Sequence, residues 1–235
     1  MGVRKLSKAV KSKVVFGKTC PQWSRSAKYL GVILDDKFSF LNALNSLVER
    51  IERSMWRLYS HNNISTGASP YVLLSIFRTW VLPLFDYGSC IWIFLIFDGD
   101  VQLDKKPSRG YIKVFNKLDT LYMRCCKLIL GVPTSSRNIS VLVRLGFLPL
   151  RFHFVWRALV WYLKAYHGRA SRVIQRQLFE FFEDDEIWFQ SSFYNPAYRM
   201  LLYLRGVSGI NLGGITVDKV SEPIRDALFK VANNF

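Results

Sequence analysis

Acidic residues are absent from the first 34 positions of this 235-residue chain. The first carboxylate is Asp35, and the segment before it carries eight unopposed cations: Arg4, Lys5, Lys8, Lys11, Lys13, Lys18, Arg25 and Lys28. Over the whole chain, 33 Lys and Arg face 17 Asp and Glu, which gives a formal net charge of +16. Such an excess attracts phosphates at long range without reading sequence, so nucleic acid is the first partner to consider. The alternative is a basic protein with no nucleic-acid role.

Cysteine and histidine are too few and wrongly spaced for a zinc site. The four Cys include no CxxC pair, and the three His do not fall at zinc spacing. We therefore expect reduced, mostly buried thiols in an intracellular protein of the nucleus or cytoplasm. Cys125 and Cys126 are adjacent, so they are not expected to point into one helical face. The basic N-terminus is not followed by the apolar segment of a signal peptide.

Long apolar runs are also scarce. The stretch from Trp80 to Phe97 approaches the length of a short bilayer span. It contains Pro83, Asp86 and Gly88 in its middle, and a carboxylate at bilayer depth would be costly. A buried helix that is broken near Pro83 and Gly88 is the better interpretation, so we expect no membrane partner.

Hydrophobic residues make up half of the chain, which is enough for a buried core in one large domain or two small ones. Periodicity and end signals predict a mainly α fold with a small N-terminal β element. The β-type runs are Val14–Phe16 and Ala27–Leu34, and two strands alone are marginal. Helices are expected from Leu41 to a loop near Asn62, from Ser69-Pro70 to about Leu82, at about 84–96, 111–130, 151–166, 170–182 and 222–231, and in a short segment ending at Gly146.

Five motifs follow one another across residues 11–165. The first two are Lys13 to Gly17 (KVVFG) and Lys28 to Phe40 (KYLGVILDDKFSF). The other three are Leu82 to Gly88 (LPLFDYG) followed by Trp92, Leu128 to Pro133 (LILGVP), and Leu145 to Leu150 (LGFLPL). Together they resemble the end of the palm, the thumb and the next helices of non-LTR (LINE-type) retrotransposon reverse transcriptases. Residues 170–235 show no such resemblance.

The resemblance implies a helical, thumb-like bundle with a remnant of the palm sheet. Its segments are 1–40, a basic arm with residual palm strands; 41–100, thumb-like helices; 101–168, a second helical region; and 169–235, a weakly defined helical extension. The family synthesises DNA on RNA with magnesium held by palm aspartates. The Tyr/Phe-x-Asp-Asp turn that carries two of them precedes the strand matching Val14–Phe16, and the chain begins after it. We therefore expect a fragment that lacks catalytic residues, metal ligands and cofactor, is inactive alone, and would partner the missing palm.

Eleven residues are expected to contact template–primer RNA or DNA. In the family, a Tyr-Leu-Gly strand grips the primer and the thumb follows the nucleic-acid backbone, where cations neutralise phosphates without reading bases. Gly31 would let the backbone approach the primer closely. The predicted contacts are Lys28, Tyr29, Leu30, Gly31, Arg50, Arg53, Arg57, Lys113, Lys117, Arg124 and Lys127. The structural alternatives are a core strand with a glycine bulge and ordinary solvated helix faces.

The acidic clusters and one aromatic helix are assigned to structure. Asp35-Asp36 lacks a third carboxylate for a two-metal site, so its expected roles are a turn and the start of a helix. The run Glu183 to Glu186 is expected to be a solvated helix end. Aromatic residues that could stack on bases are expected in the core instead: Trp156, Trp161, Tyr162 and Tyr166. The alternative function is a non-catalytic helical module that binds a protein partner through exposed apolar surface.

Overall fold

The computed structural model describes residues 24–37, 39–61, 67–96, 107–164, 200, 204 and 221–232. The chain divides into two compact units, Met1–Ser46 and Leu47–Phe235. Helices dominate the described part, and one two-stranded antiparallel sheet lies near its N-terminus. The expected fold class, mainly α with a small N-terminal hairpin, is confirmed. The predicted strand at Val14–Phe16, the predicted helix at 170–182 and the acidic run at 183–186 lie outside the described residues.

The sheet is a hairpin of β1 (Ser26–Tyr29) and β2 (Val32–Asp35), paired from Ser26 with Asp35 to Tyr29 with Val32. The prediction of one continuous strand over Ala27–Leu34 is therefore wrong. The chain reverses at Leu30 and Gly31, whose φ angles are 46° and 83°. Two successive residues with positive φ match the type I′ turn, whose twist suits a two-residue hairpin loop and favours glycine. The glycine supplies a turn here and not a bulge within a strand.

Asp35 organises the turn that follows β2. Its Oδ1 accepts hydrogen bonds from the backbone N–H groups of Lys37 (3.0 Å) and Ser39 (2.9 Å), and its Oδ2 accepts one from the Ser39 hydroxyl (2.7 Å). Burial acts to raise the pKa of Asp35, but the hydrogen bonds from Ser39 and Lys37 outweigh it and leave the pKa below its ordinary 3.8. The expected role of Asp35 in a turn before a helix is confirmed.

The first helix, α1 (Leu41–His61), has the stripe that its period predicts. The buried positions are Leu44, Leu47, Val48, Ile51, Met55 and Leu58. The next helix, α2 (Pro70–Ile76), begins as expected, with Pro70 in its first turn and the Ser69 side chain accepting a hydrogen bond from the Val72 N–H.

A π-helical turn, Phe77–Val81, follows α2 directly and was not predicted. In it the Leu82 N–H donates to the carbonyl of Phe77, five residues back. Pro83 lies at the next position and has no N–H, so the regular ladder is interrupted there in any case. The chain continues into α3 (Leu82–Asp86), breaks at Tyr87-Gly88 and forms α4 (Ser89–Ile96). The predicted break near Pro83 and Gly88 is confirmed.

Two helices in the middle of the second unit end in the same way. The longer, α5 (Ile112–Leu130), stops at Gly131, whose φ is 64°. The Gly131 N–H donates to Leu128 O and the Val132 N–H to Lys127 O, both at 3.1 Å, which is the Schellman pattern. The shorter, α6 (Asn138–Leu145), ends with the same two bonds at Gly146 and Phe147.

The remaining described helices are α7 (Leu150–Lys164) and α8 (Ser221–Ala232), which pack on each other. Helix α7 also packs on α4, where the Trp92 and Phe154 rings meet edge to face at 4.8 Å. Arg225 of α8 donates to the carbonyl of Gly146 and so joins α8 to the end of α6. In the described residues no single helix is long and apolar enough to cross a membrane, although α6 and α7, bent by 40° at their junction, pass that test as a pair.

An aromatic cluster around Tyr122 fills the core of the second unit. The Tyr122 ring lies 5.6 Å from Phe85 and 6.1 Å from Phe77, and its hydroxyl donates to Leu148 O at 3.0 Å. Cys125 and Cys126 are both fully buried, in agreement with the expectation of buried thiols. The second half of α5 is covered over more than half of its circumference, which includes both positions.

Candidate nucleic-acid interface

The predicted cations of α5 lie on one side of the helix. Lys113, Lys117 and Arg124 are exposed and Lys127 is half-buried, at spacings of four, seven and three residues. The exposed positions between them are Asn116 and Thr120, so no carboxylate interrupts the row. The opposite side of α5 is buried in the core. We call Lys113, Lys117, Arg124 and Lys127 the α5 stripe.

Members of the α5 stripe differ in what their side chains already bind. Lys117 Nζ forms an ion pair with Glu52 Oε1 of α1 at 3.0 Å. Lys127 Nζ donates to Thr134 O at 2.6 Å and so holds the loop after α5. Among the described residues, no carboxylate pairs with Lys113 or Arg124. These two side chains are therefore best able to take up phosphates.

The predicted cations of α1 also fall into two groups. Arg50 is half-buried, and its guanidinium lies 5.9 Å from the centre of the Tyr87 ring, where the cation is attracted to the π face. Arg53 and Arg57 are exposed, and the Arg53 Nε donates to the Glu49 carbonyl one turn earlier, at 3.3 Å. The exposed Arg53 and Arg57 are therefore the better candidates to bind a ligand. Arg50 already contacts Tyr87, at the break between α3 and α4.

The ion pair between Glu52 and Lys117 places α1 beside α5 at that point. Arg53 directly follows Glu52, so at least one exposed arginine of α1 lies near the α5 stripe at this point. Cations spaced along two neighbouring helices suit a ligand whose negative charge is spread over a length, because each phosphate can meet a separate side chain.

The four remaining predicted contacts lie on the hairpin of the first unit. Lys28 and Tyr29 end β1, and Leu30 and Gly31 form the turn, so all four are exposed at one tip. Leu30 and Gly31 lie in a turn and not in the extended strand that the resemblance implies. The Leu30 residue is 75% exposed.

One partly buried polar cluster was missed by sequence reasoning. Asp86 of α3 contacts His153 Nε2 through Oδ1 at 2.6 Å and Arg157 Nε through Oδ2 at 3.1 Å, both on α7. His153 is buried, and the centre of its ring lies 6.4 Å from that of Tyr122, with the two ring planes inclined by 28°. A 67-residue separation between the partners hides such a contact from periodicity or motif spacing. The cluster ties α3 to α7 and supplies no group to the exposed cationic surface.

Burial raises the pKa of four side chains on α5. It raises the pKa of the Cys125 thiol to about 12 and that of Cys126 further, so both stay protonated and unreactive. It also raises the pKa of Asp119 and lifts that of the Tyr122 phenol well above its ordinary value. Among the described residues, no group of three His, Cys, Asp or Glu side chains is placed to hold a metal ion.

The predicted aromatic residues of α7 divide between core and surface. Tyr162 is buried, which confirms its expected core position. Trp156 is half-buried, and the core expectation for Trp161 is wrong because this residue is 39% exposed. Tyr166 lies outside the described residues.

Comparison of the chain with protein-family models gives no match. No curated protein and no solved structure matches it either.

Proposed function

We propose that this chain is the helical, thumb-like part of a reverse transcriptase of the non-LTR retrotransposon type, and that it binds template–primer RNA or DNA through the sugar–phosphate backbone. The activity proposed for the chain itself is binding and not polymerisation. The family assignment rests on the five motifs. The binding surface rests on the exposed cations of α1 and α5.

The observation that carries the proposal is the one-sided charge of α5. Three exposed cations and the half-buried Lys127 lie along this side of α5 with no exposed carboxylate between them, while the opposite side is core. A helix face that is merely solvated usually mixes both signs, because opposite charges four residues apart support the helix. A row of a single sign is instead suited to a polyanion.

The test is the salt dependence of affinity for a labelled RNA–DNA primer duplex, measured by fluorescence anisotropy. Backbone binding predicts affinity that depends little on sequence and falls steeply with salt. Each lost phosphate contact lowers the log–log slope by about 0.9 on duplex and about 0.7 on a single strand. The double variants Arg53→Glu/Arg57→Glu and Lys113→Glu/Arg124→Glu should each flatten the slope by about 1.4–1.8.

A matched control separates local contacts from total charge. Lys164 and Lys230 are exposed on α7 and α8, and Lys164→Glu/Lys230→Glu changes the net charge as much as either test variant. The control should leave the slope near that of the unchanged chain. An equal effect of all three variants would mean that only net charge matters, and an intact chain without salt-dependent binding would refute the proposed function.

A second function, a helical module that binds a protein partner, is favoured by exposed apolar side chains on α2 and α6. Tyr71 of α2 is 84% exposed and Val143 of α6 is 62% exposed. Large apolar groups on a surface are a feature of interaction sites. Crosslinking from a photoreactive residue placed at position 71 or 143, with and without nucleic acid, distinguishes the two functions, since a protein-binding module would crosslink to a partner without added oligonucleotide.

A further inference from the structure

Trp56 stands out on the exposed side of α1, where 73% of the residue is accessible to solvent. Tryptophan is usually largely buried, because its ring has a large apolar area. The neighbouring Tyr59 ring is 6.0 Å away and inclined by 50°, so it borders the indole without stacking on its face. One aromatic face is therefore left open to a flat ligand.

The surroundings of Trp56 are cationic. Arg53 lies three residues before it and Arg57 is the next residue, and both side chains are exposed. Two acidic residues lie near this part of α1. Glu52 is paired with Lys117, and Glu49 lies one turn before Arg53. An exposed aromatic ring beside two exposed arginines on the same helix fits a ligand that alternates flat rings with negative charges.

We propose that Trp56 stacks on an unpaired base of single-stranded nucleic acid, with Arg53 and Arg57 on the phosphates that flank it. This inference rests on the proposed function and adds to it a position where the strand is single. Stacking on an indole needs a base that has left its own stack, which a regular duplex does not offer. Every base has a π face, so the contact tolerates any sequence.

The test compares Trp56→Ala, Trp56→Phe and Trp80→Ala on a labelled, unstructured oligonucleotide. Trp80 serves as the control because it is a second exposed indole, 58% accessible, on the π-helical turn. Loss of one stacked base weakens binding by about 5- to 150-fold, the range of alanine substitutions at such sites. Trp56→Ala should fall in this range, Trp56→Phe should keep most of the affinity, and Trp80→Ala should match the unchanged chain.

An oligonucleotide of abasic sugars isolates the base from the phosphates. The unchanged chain should bind it more weakly than the natural oligonucleotide, whereas Trp56→Ala should bind both alike. The slope against salt should stay the same in Trp56→Ala, because no phosphate contact is removed. Affinity for a blunt duplex should not change either.

The outcomes separate this inference from the proposed function. A normal salt slope together with full single-strand affinity in Trp56→Ala overturns the stacking inference alone and assigns the ring to a protein contact. Equal losses on natural and abasic oligonucleotides also overturn it, since they point to a contact with the sugar. A chain with no salt-dependent binding overturns the proposed function itself. Thermal unfolding of Trp56→Ala should match the unchanged chain, because the side chain is exposed.

Discussion

Single residues in the core of the second unit depend on partners that are distant in sequence. Asp86 lies in the motif Leu82 to Gly88, one of the five that resemble the retrotransposon family. Its carboxylate binds His153 and Arg157. Periodicity predicted that α7 would be apolar, but it could not say that His153 would meet an acid on α3. Contacts of this kind are set by how helices pack, and a sequence without that packing does not reveal them.

Replacing Asp86 by Asn should destabilise the protein. The amide keeps the shape of the carboxylate but loses the charge that strengthens both hydrogen bonds, and bonds to charged groups contribute about 1.5–3 kcal/mol each. Arg157 is partly exposed and can return to water, so we expect a total loss of about 2 kcal/mol. Urea unfolding measures it, with Asp226→Asn on the exposed side of α8 as the control. Equal stability of the two variants would show that the cluster contributes nothing.

Asp119 should weaken the fold as pH rises. Its pKa is raised above the ordinary 3.8 by burial, so the folded chain holds this proton more tightly than the unfolded chain does. The cost of ionising it is absent below 3.8 and grows as pH rises through the folded pKa. Asp119→Asn should therefore be more stable than the unchanged chain at neutral pH, with the gain shrinking as pH falls. A gain that is constant with pH in thermal unfolding would contradict this assignment.

At the scale of elements, the long helices were predictable and the reversals were not. The stripe from Leu44 to Leu58 and the Gly131 stop defined α1 and α5, because each signal lies within a few turns of one helix. The hairpin at Leu30-Gly31 was predicted as one strand, since β-type residues continue through the turn. A pattern of side chains does not indicate a positive φ. Gly31 was the one sequence signal that favoured a reversal at this point.

The sequence predicted where the cations lie on the helices, but not which of them already contact another side chain. Spacing alone placed Lys113, Lys117 and Arg124 on one side of α5, and the structure has them there. Spacing could not show that Lys117 is paired with Glu52 or that Arg50 faces the Tyr87 ring, since both partners lie on other helices. The exposed Trp56 has a clear sequence signal, because it falls outside the apolar stripe of α1.

The end of α5 should be sensitive to the loss of Gly131. A Cβ there would meet no atom within 4 Å, but φ is +64°, a conformation that costs other residues roughly 1–2 kcal/mol. Gly131→Ala should lower the free energy of unfolding by about 1 kcal/mol. Gly110 has the same open surroundings without a positive φ, so Gly110→Ala should be neutral or slightly stabilising. Similar losses in both variants would show that backbone strain at Gly131 is not the cause.

For the whole molecule, two opposing features govern association. The net charge of +16 makes copies repel each other. Exposed apolar groups such as Tyr71 and Val143 favour contact, and in the described first unit the hairpin has no third strand on either edge. The charge is read directly from the sequence, but the exposed apolar positions on α2 and α6 required the structure.

Self-association should therefore increase with salt, opposite to nucleic-acid binding. Salt screens the repulsion between copies, with a Debye length of about 10 Å at 0.1 M and about 3 Å at 1 M, but leaves apolar contact in place. Sedimentation of the chain free of nucleic acid should give a larger average mass at high salt than at low salt. The variant Tyr71→Ser/Val143→Ser should reduce that increase, whereas Ser75→Ala/Ser140→Ala, at exposed positions on the same two helices, should not. A monomer at every salt concentration, or a mass that falls as salt rises, would show that these apolar groups do not drive association.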